Sequence, residues 1–352
     1  MTSVPVRRDE AAAGTVLPAG HGAARRVTVV GGATTLLGLA VAASLAFGSK
    51  PLAPEQIWHA LAAPDGSEAS TIVRELRMPR TVLGLAVGAA LAVSGVLLQA
   101  LTRNPLAEPR ILGVSAGASL GVVTAIAVLK VSTLTGYVWF GIVGALLAGM
   151  LVYAISAWAR DGASPVSLAL CGAALDASLA AVIFGLLSID AHTFEEYRFW
   201  VVGGLAGRDM RVAVQVAPFV VAGLLLAVLA ARGLDALALG DDIARGLGHR
   251  VGLVRIGAGA AAVLLTGAAV AAAGPIAFVG LAVPHLARAL IGTDHRWALG
   301  MATLLGPALL LAADVIGRLI APPGEVPAGI VTALLGAPLL AVLVRRAKVV
   351  TS

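Results

Sequence analysis

The sequence predicts an all-α integral membrane protein of about ten transmembrane helices. Three observations carry that prediction. Of 352 residues, 59% are hydrophobic and only 12% charged, about half the charge of a soluble domain, so the chain cannot cover a water-facing surface. The apolar residues fall into repeated runs close to the ~20 needed to cross a bilayer. Glycine is abundant, at 42 residues, as in membrane helices that pack closely. The net charge of +6 does not mark a nucleic-acid binder, because the cations lie singly and in pairs between apolar runs, which is topology rather than a basic face. The single cysteine, Cys171, lies inside an apolar run, which excludes an intrachain disulfide or a cysteine metal cage.

Residues 1–26 are rich in Ala, Gly and Pro, carry Arg7, Arg8, Arg25 and Arg26, and read as a disordered cytoplasmic tail. No cleaved signal peptide is expected, since the next run is of full spanning length. The candidate spans are 27–47, 81–101, 111–129, 137–158, 166–189, 212–230, 251–273, 275–291, 297–316 and 326–344, inside a transmembrane domain at 27–346, with a short cytoplasmic tail at 347–352. The second and third spans are joined by a turn at 102–110, where Pro105 and Pro109 fix the backbone and push their preceding residues out of helix. Arg77 and Arg80 stand around Pro79 at the mouth of the second span. A charged mouth and a proline-braced elbow suit a transport pathway better than an anchor.

Orientation follows from the cations. With both termini in the cytoplasm, sixteen Lys and Arg fall on inside segments and nine on outside ones. Outside, Thr193 to Leu205 is amphipathic and aromatic, a short interfacial helix. Inside, Leu234 to Arg250 is polar and helix-permissive, the longest cytoplasmic connection. A faint repeat aligns 88–95 with 267–274 and Pro105 with Pro284 at one offset. The matched segments lie on the second and seventh spans, which run in opposite directions, as an inverted repeat requires.

Few side chains here offer chemistry. The six histidines are scattered without metal-ligand spacing, and no G-x-x-x-x-G-K-[ST] phosphate loop is present, so this chain is not expected to hydrolyse ATP, and energy must come from a partner. Arg77 and Arg80 suit either interfacial snorkelling or charge pairing with a docking protein. Asp314 lies one helical turn before Arg318, a spacing that lets them pair. Asp176 is a carboxylate inside the fifth span, which marks it as a pathway candidate or as a group hydrogen-bonded to a neighbour such as Ser178.

Several segments in register resemble the permease subunits of binding-protein-dependent ABC importers for iron-siderophores, haem and vitamin B12. They are Arg77-x-Pro-Arg80, Ser94-Gly95-x-x-x-Gln99, Asn104-Pro-Leu-Ala-Glu-Pro109, Leu112-Gly-Val-Ser-x-Gly117, Leu239-Gly-Asp-x-x-Ala244-x-x-Leu247-Gly248, Ala273-Gly-Pro-Ile-x-Phe-Val-Gly-Leu281, Val283-Pro-His-x-x-Arg288 and Glu325-x-Pro-x-Gly-Ile-Val-Thr. The match runs in order from 70 to 346. The resemblance implies a type II importer permease in a bacterial cytoplasmic membrane. Two ten-helix subunits, identical or paralogous, would surround one pathway, with an extracytoplasmic binding protein and a cytoplasmic ATPase dimer holding ATP and Mg; the permease itself would bind no cofactor and no metal. It assigns docking to Arg77, Arg80 and, more weakly, Arg318. It makes 234–250 a coupling helix, with Asp241, Asp242, Ala244, Arg245, Leu247 and Gly248 at the ATPase; Asp241 stands where the family usually has Glu. It places a cytoplasmic gate at Asn104, Pro105 and Leu106 with Ser164 and Ser167, although Pro165 and Val166 replace small hydroxyl residues there. The rival is an ion-coupled secondary transporter, which would need midplane ionisable groups in both halves. A membrane enzyme lacks any clustered catalytic set.

Overall fold

The computed structural model describes residues 19–48, 50–63, 65–131, 133–158, 164–322 and 324–349. Helices follow one another as α1 (Ala19–Ala46), α2 (Pro54–Ala62), α3 (Glu68–Thr71), a π-helical turn (Ile72–Arg77), α4 (Met78–Thr102), a 3₁₀ turn (Pro109–Leu112), α5 (Val114–Ala127), α6 (Leu134–Trp158) and α7 (Pro165–Ile189). Next come α8 (Ala191–Val201), α9 (Met210–Ala238), α10 (Asp241–Gly246), α11 (Val251–Ala273), α12 (Val279–Ile291), α13 (His295–Ile320) and α14 (Ala328–Val349). No strand occurs among the described residues. The ten expected spans are present in order, but only seven described helices are long and apolar enough to cross a membrane; α5, α12 and the apolar part of α14 are shorter. Of the two expected tails, 1–18 and 350–352 lie outside the described residues, and the rest is helical, in α1 and α14.

Local chemistry sets the boundaries. Ser67, Ser164, Asp209 and Asp294 cap α3, α7, α9 and α13 with their side-chain oxygens. Pro79 stands where the π-helical turn passes directly into α4, and a proline within continuous helix lacks the N–H of a regular ladder bond. That helix ends at Arg103, whose left-handed backbone (φ 48°) turns the chain into Asn104-Pro105.

Two expected spans are corrected in length. The run 111–129 is broken at Gly113 (φ 66°), leaving α5 with 14 residues. The run 275–291 enters as non-helical chain before α12, which has 13 residues. Each helix is about 20 Å long, well short of the ~30 Å hydrocarbon core. Non-helical backbone at such depth survives only where protein satisfies it. Here the two breaks do so for each other. Glu108 accepts a hydrogen bond from the Phe278 N–H at 2.9 Å, and Gly280 packs on Pro109. Broken spans in matching positions of two halves are the mark of an inverted repeat. The packing of α4 on α11, the two spans the repeat aligns, agrees with it. The pairing of Pro105 with Pro284 does not, since one lies in a turn and the other inside α12.

The hub is α4, apolar on all sides and buried along most of its length, as befits a helix surrounded by others. It packs against α9, α11, α12 and α13. Lipid is as apolar as leucine, so close contact and hydrogen bonds hold membrane helices together. A β-carbon at Gly88 would strike the backbone of Gly306 and Pro307 on α13, and one at Gly95 the Gly280 carbonyl on α12. Ser94 Oγ lies 2.6 Å from Thr266 Oγ1 on α11, a bond worth about 1 kcal/mol. By contrast α7 leaves most of its length uncovered, including Val166, Leu170 and Phe184.

Candidate functional site

Chemistry concentrates at the two ends of α4. At its N-terminal end the three arginines expected to offer themselves to a docking protein are buried, at 4, 9 and 2% exposure for Arg77, Arg80 and Arg318. Their partners lie in the chain itself, which corrects the picture of snorkelling or free interfacial charges. Asp314, 1% exposed, is gripped from two sides. Arg80 donates to it through Nε (2.8 Å) and Nη2 (2.7 Å), and Arg318 through Nη2 (2.6 Å). The Asp314–Arg318 pair is the one-turn spacing legible in the sequence. Arg80 also pairs with Glu325 at 2.7 Å through Nη1.

The remaining donors cap a helix. The last carbonyls of α1 have no intrahelical partner and carry the negative end of its dipole, and α1 has no basic residue in its own last turn. Guanidiniums from other helices replace it. Arg318 donates to the Ser44 and Phe47 carbonyls, both at 2.9 Å, and Arg77 to those of Leu45 and Ala46, both at 2.7 Å. Three guanidiniums face two carboxylates, so the cluster keeps one surplus positive charge, placed against the α1 dipole. Sequence reasoning placed Glu325 in a family segment without giving it a role, and it passed over the α1 terminus. Glu325, a lone acid between two apolar runs, was a visible signal; the α1 carbonyls carried none.

At the other end Asp241 is held by Arg103 (2.7 Å) and Arg255 (2.9 Å). It opens α10, a six-residue helix bounded by Gly240 (φ 113°) and, two residues past its end, Gly248 (φ 83°). Arg103 also caps α9 by donating to the Leu237 carbonyl at 3.0 Å. Asp242 and Arg245 pair on the exposed side at 2.8 Å. Ala244 was expected where a partner's backbone approaches. It is instead fully buried within this chain, on the side of α10 that meets α9 and α11. The outward side carries Leu239, Ile243 and Leu247, all more than half exposed. Ile243 lies on α10 itself, and Leu239 and Leu247 flank it just outside the helix; of the three, Leu247 is the one the resemblance places at the ATPase.

The two gate segments lie at this same end, since α4 runs down to Arg103 and α7 starts from Ser164. Asn104 folds its own turn, accepting from the Leu106 N–H at 2.9 Å, with Pro105 between them. Ser164 accepts from the Ser167 N–H at 3.2 Å. No hydrogen bond joins the two segments among the described residues. Asp176 sits half-buried on α7; Ser178 donates to the Ala174 carbonyl rather than to it.

Beyond the spans, Asp190 caps α8, the expected interfacial helix. It accepts from the Thr193 hydroxyl (2.8 Å), the His192 N–H (3.1 Å) and Lys130 (3.3 Å). These bonds, the Thr193 one first, hold its carboxyl below the usual aspartate range.

The sequence pattern of the FecCD transport family matches residues 36–346. The ferric enterobactin transport system permease protein FepD of Escherichia coli is 42% identical over 328 residues, covering 93% of this chain and 98% of the relative. The Fe(3+)-citrate import system permease protein YfmD of Bacillus subtilis is also 42% identical, over 284 residues, covering 81% and 84%. Among solved structures, one described as an inward-facing metal-chelate type ABC transporter superposes with a TM-score of 0.80 at 29% identity, covering 91% of this chain and 99% of that one.

Proposed function

The chain belongs to the FecCD transport family, and on that premise we propose that it carries ferric siderophore chelates inward as the permease subunit of an ABC importer. Related iron-citrate, haem or corrinoid complexes are the neighbouring cargo classes. The Asp241 end faces the cytoplasm and the Arg80 end faces outward, in keeping with the distribution of Lys and Arg. An ion-coupled mechanism finds no support. Asp314 is compensated by two guanidiniums, and Asp176 alone leaves one half of the chain without an ionisable midplane group.

One observation carries the coupling role: a short helix at the water-facing end turns apolar residues outward. Water-exposed Leu239, Ile243 and Leu247 suit a covered surface, and Asp242 and Arg245 beside them would fix register on a cytoplasmic ATPase that holds ATP and Mg. The seat of α10 on Arg103 and Arg255 gives that ATPase a lever on α4 and α11, next to a gate formed by Asn104, Pro105 and Leu106 with Ser164 and Ser167. The uncovered face of α7, with Asp176 on it, would line the pathway against a second permease subunit. At the outer end, the surplus positive charge around Arg77, Arg80 and Arg318 would receive an acidic binding protein, with Glu325 at the rim.

The test is Ile243→Glu in the assembled importer. Uptake of the ferric chelate should fall to background and less ATPase should co-purify, with membrane insertion and melting temperature as in the parent. Normal uptake with full ATPase recovery would show that α10 is only a connector.

A further inference from the structure

A groove opens on the flank of the bundle. It lies between α4, α9 and α13 toward the Asp241 end and measures about 600 Å³, within the roughly 300–1,000 Å³ of sites that hold drug-sized ligands. Val93 of the hub helix forms its floor, Leu224, Val228 and Leu229 part of its wall, and Arg232 and Arg296 its charged residues. Val228 and Leu229 are exposed, so the groove opens toward the hydrocarbon around the bundle.

Both arginines are exposed, and neither guanidinium has a hydrogen bond or ion pair among the described residues. Arg232 is six residues from the end of α9, and Arg296 is in the first turn of α13, which sets both near the headgroup level. The nearby acids are engaged elsewhere. Asp235 accepts from His295 through its N–H (2.9 Å) and Nδ1 (2.6 Å), and Asp294 caps α13 by accepting from the Arg296 and Trp297 N–H groups. The other cation at hand, Arg26, lies over the Trp297 ring at 5.2 Å. Two guanidiniums without an ion pair thus share one largely apolar groove at the depth of the lipid phosphates.

We propose that this groove is a binding site for an anionic phospholipid. Its phosphate bridges Arg232 and Arg296, and an acyl chain lies along Leu224 and Val228 over Val93. A guanidinium pair matches phosphate geometry, and basic pockets between membrane helices bind anionic headgroups. The inference requires only that the bundle sits in a bilayer, so it stands or falls apart from the transport reading.

The experiment titrates the delipidated full-length permease in detergent with phosphatidylglycerol, and with phosphatidylcholine as the neutral comparator, reading bound lipid by native mass spectrometry. Arg232→Gln/Arg296→Gln should weaken phosphatidylglycerol binding about thirtyfold, from roughly a factor of five per surface cation. Gly300 lines the same groove, and a side chain there meets open space. Gly300→Phe should therefore fill the groove, keep both cations and weaken binding roughly tenfold. Both variants should melt with the parent. Phosphatidylglycerol held equally well by either variant would overturn the proposal. So would phosphatidylcholine bound as tightly as phosphatidylglycerol, or displacement of the lipid by equimolar inorganic phosphate, which would mark a bare anion site.

Discussion

The two ends of α4 use one device in two settings. At each, a single aspartate is gripped by two arginines, Asp314 by Arg80 and Arg318 and Asp241 by Arg103 and Arg255. At each, one of those arginines also caps the C-terminus of a neighbouring helix. They differ in water. Asp314 is 1% exposed, whereas the Asp241 side chain is 26% and its partner Arg103 50% exposed. Removing one partner of a buried pair leaves an uncompensated charge and costs about 3–5 kcal/mol; an exposed pair is worth about 0–1 kcal/mol. The same trio of side-chain types therefore makes a lock at one end and a clasp at the other. On the proposed reading a transporter has use for both: a fixed mouth for a docking partner, and a lever that shifts without unfolding.

The largest effect should follow from opening the lock. Asp314→Ala leaves Arg318 without a carboxylate and Arg80 with Glu325 alone, and we expect a loss of about 3–5 kcal/mol, seen as a sharply lowered melting temperature or little folded protein. A parent-like melt would mean that water reaches this cluster and that the contrast between the ends is false. Next is Ala244→Trp. Because Ala244 is fully buried against its own chain, overpacking should cost about 1–3 kcal/mol and lower the melting temperature as well as uptake. A variant that loses only ATPase recovery would move Ala244 to the partner interface. Asp241→Ala should leave stability within about 1 kcal/mol yet lower the ATPase response to ligand, since α10 loses its anchor to α4 and α11. Transport unchanged in that variant would make the clasp ornamental.

The smallest effect separates burial from position. Asp190, at the Arg80 end, keeps 34% of its side chain exposed and pairs with Lys130. Its folded-state carboxyl titrates below the usual aspartate value. The stability it adds is thus fully present above that usual value, about 3.9, and is lost as pH falls through the lower folded one. Asp190→Asn should flatten only this acid limb of a melting-temperature profile. An effect as large as that of Asp314→Ala would show that position, not burial, decides.

How much of this was legible in the sequence depends on what each feature rests on. The ten spans follow from hydropathy, and the Asp314–Arg318 pair from one helical turn. The shortness of α5 and α12 does not, because an extended apolar segment inside protein and an apolar helix have the same composition. Only Gly113, ahead of α5, hinted at a break. Among the site residues, Ala244 misled because a small residue suits close approach to any neighbour, its own helices included. A six-residue helix is too short for periodicity to say which side is inward. The ion cluster needed Arg80 to meet an acid 234 positions away, and no local pattern encodes that.

That separation has a consequence for biosynthesis. The ribosome emits Arg80 long before Asp314 exists, and at 5–20 residues per second the intervening 234 residues take roughly 12–47 s. Through that interval the guanidinium has no carboxylate from α13 to meet, so the head of α4 must wait among lipid headgroups. Its descent to full depth comes only with the ninth span. Chains halted before residue 314 should accordingly leave Arg80 open to water-soluble reagents, and completed chains should shield it, which makes the final stretch of translation the step that seals the mouth.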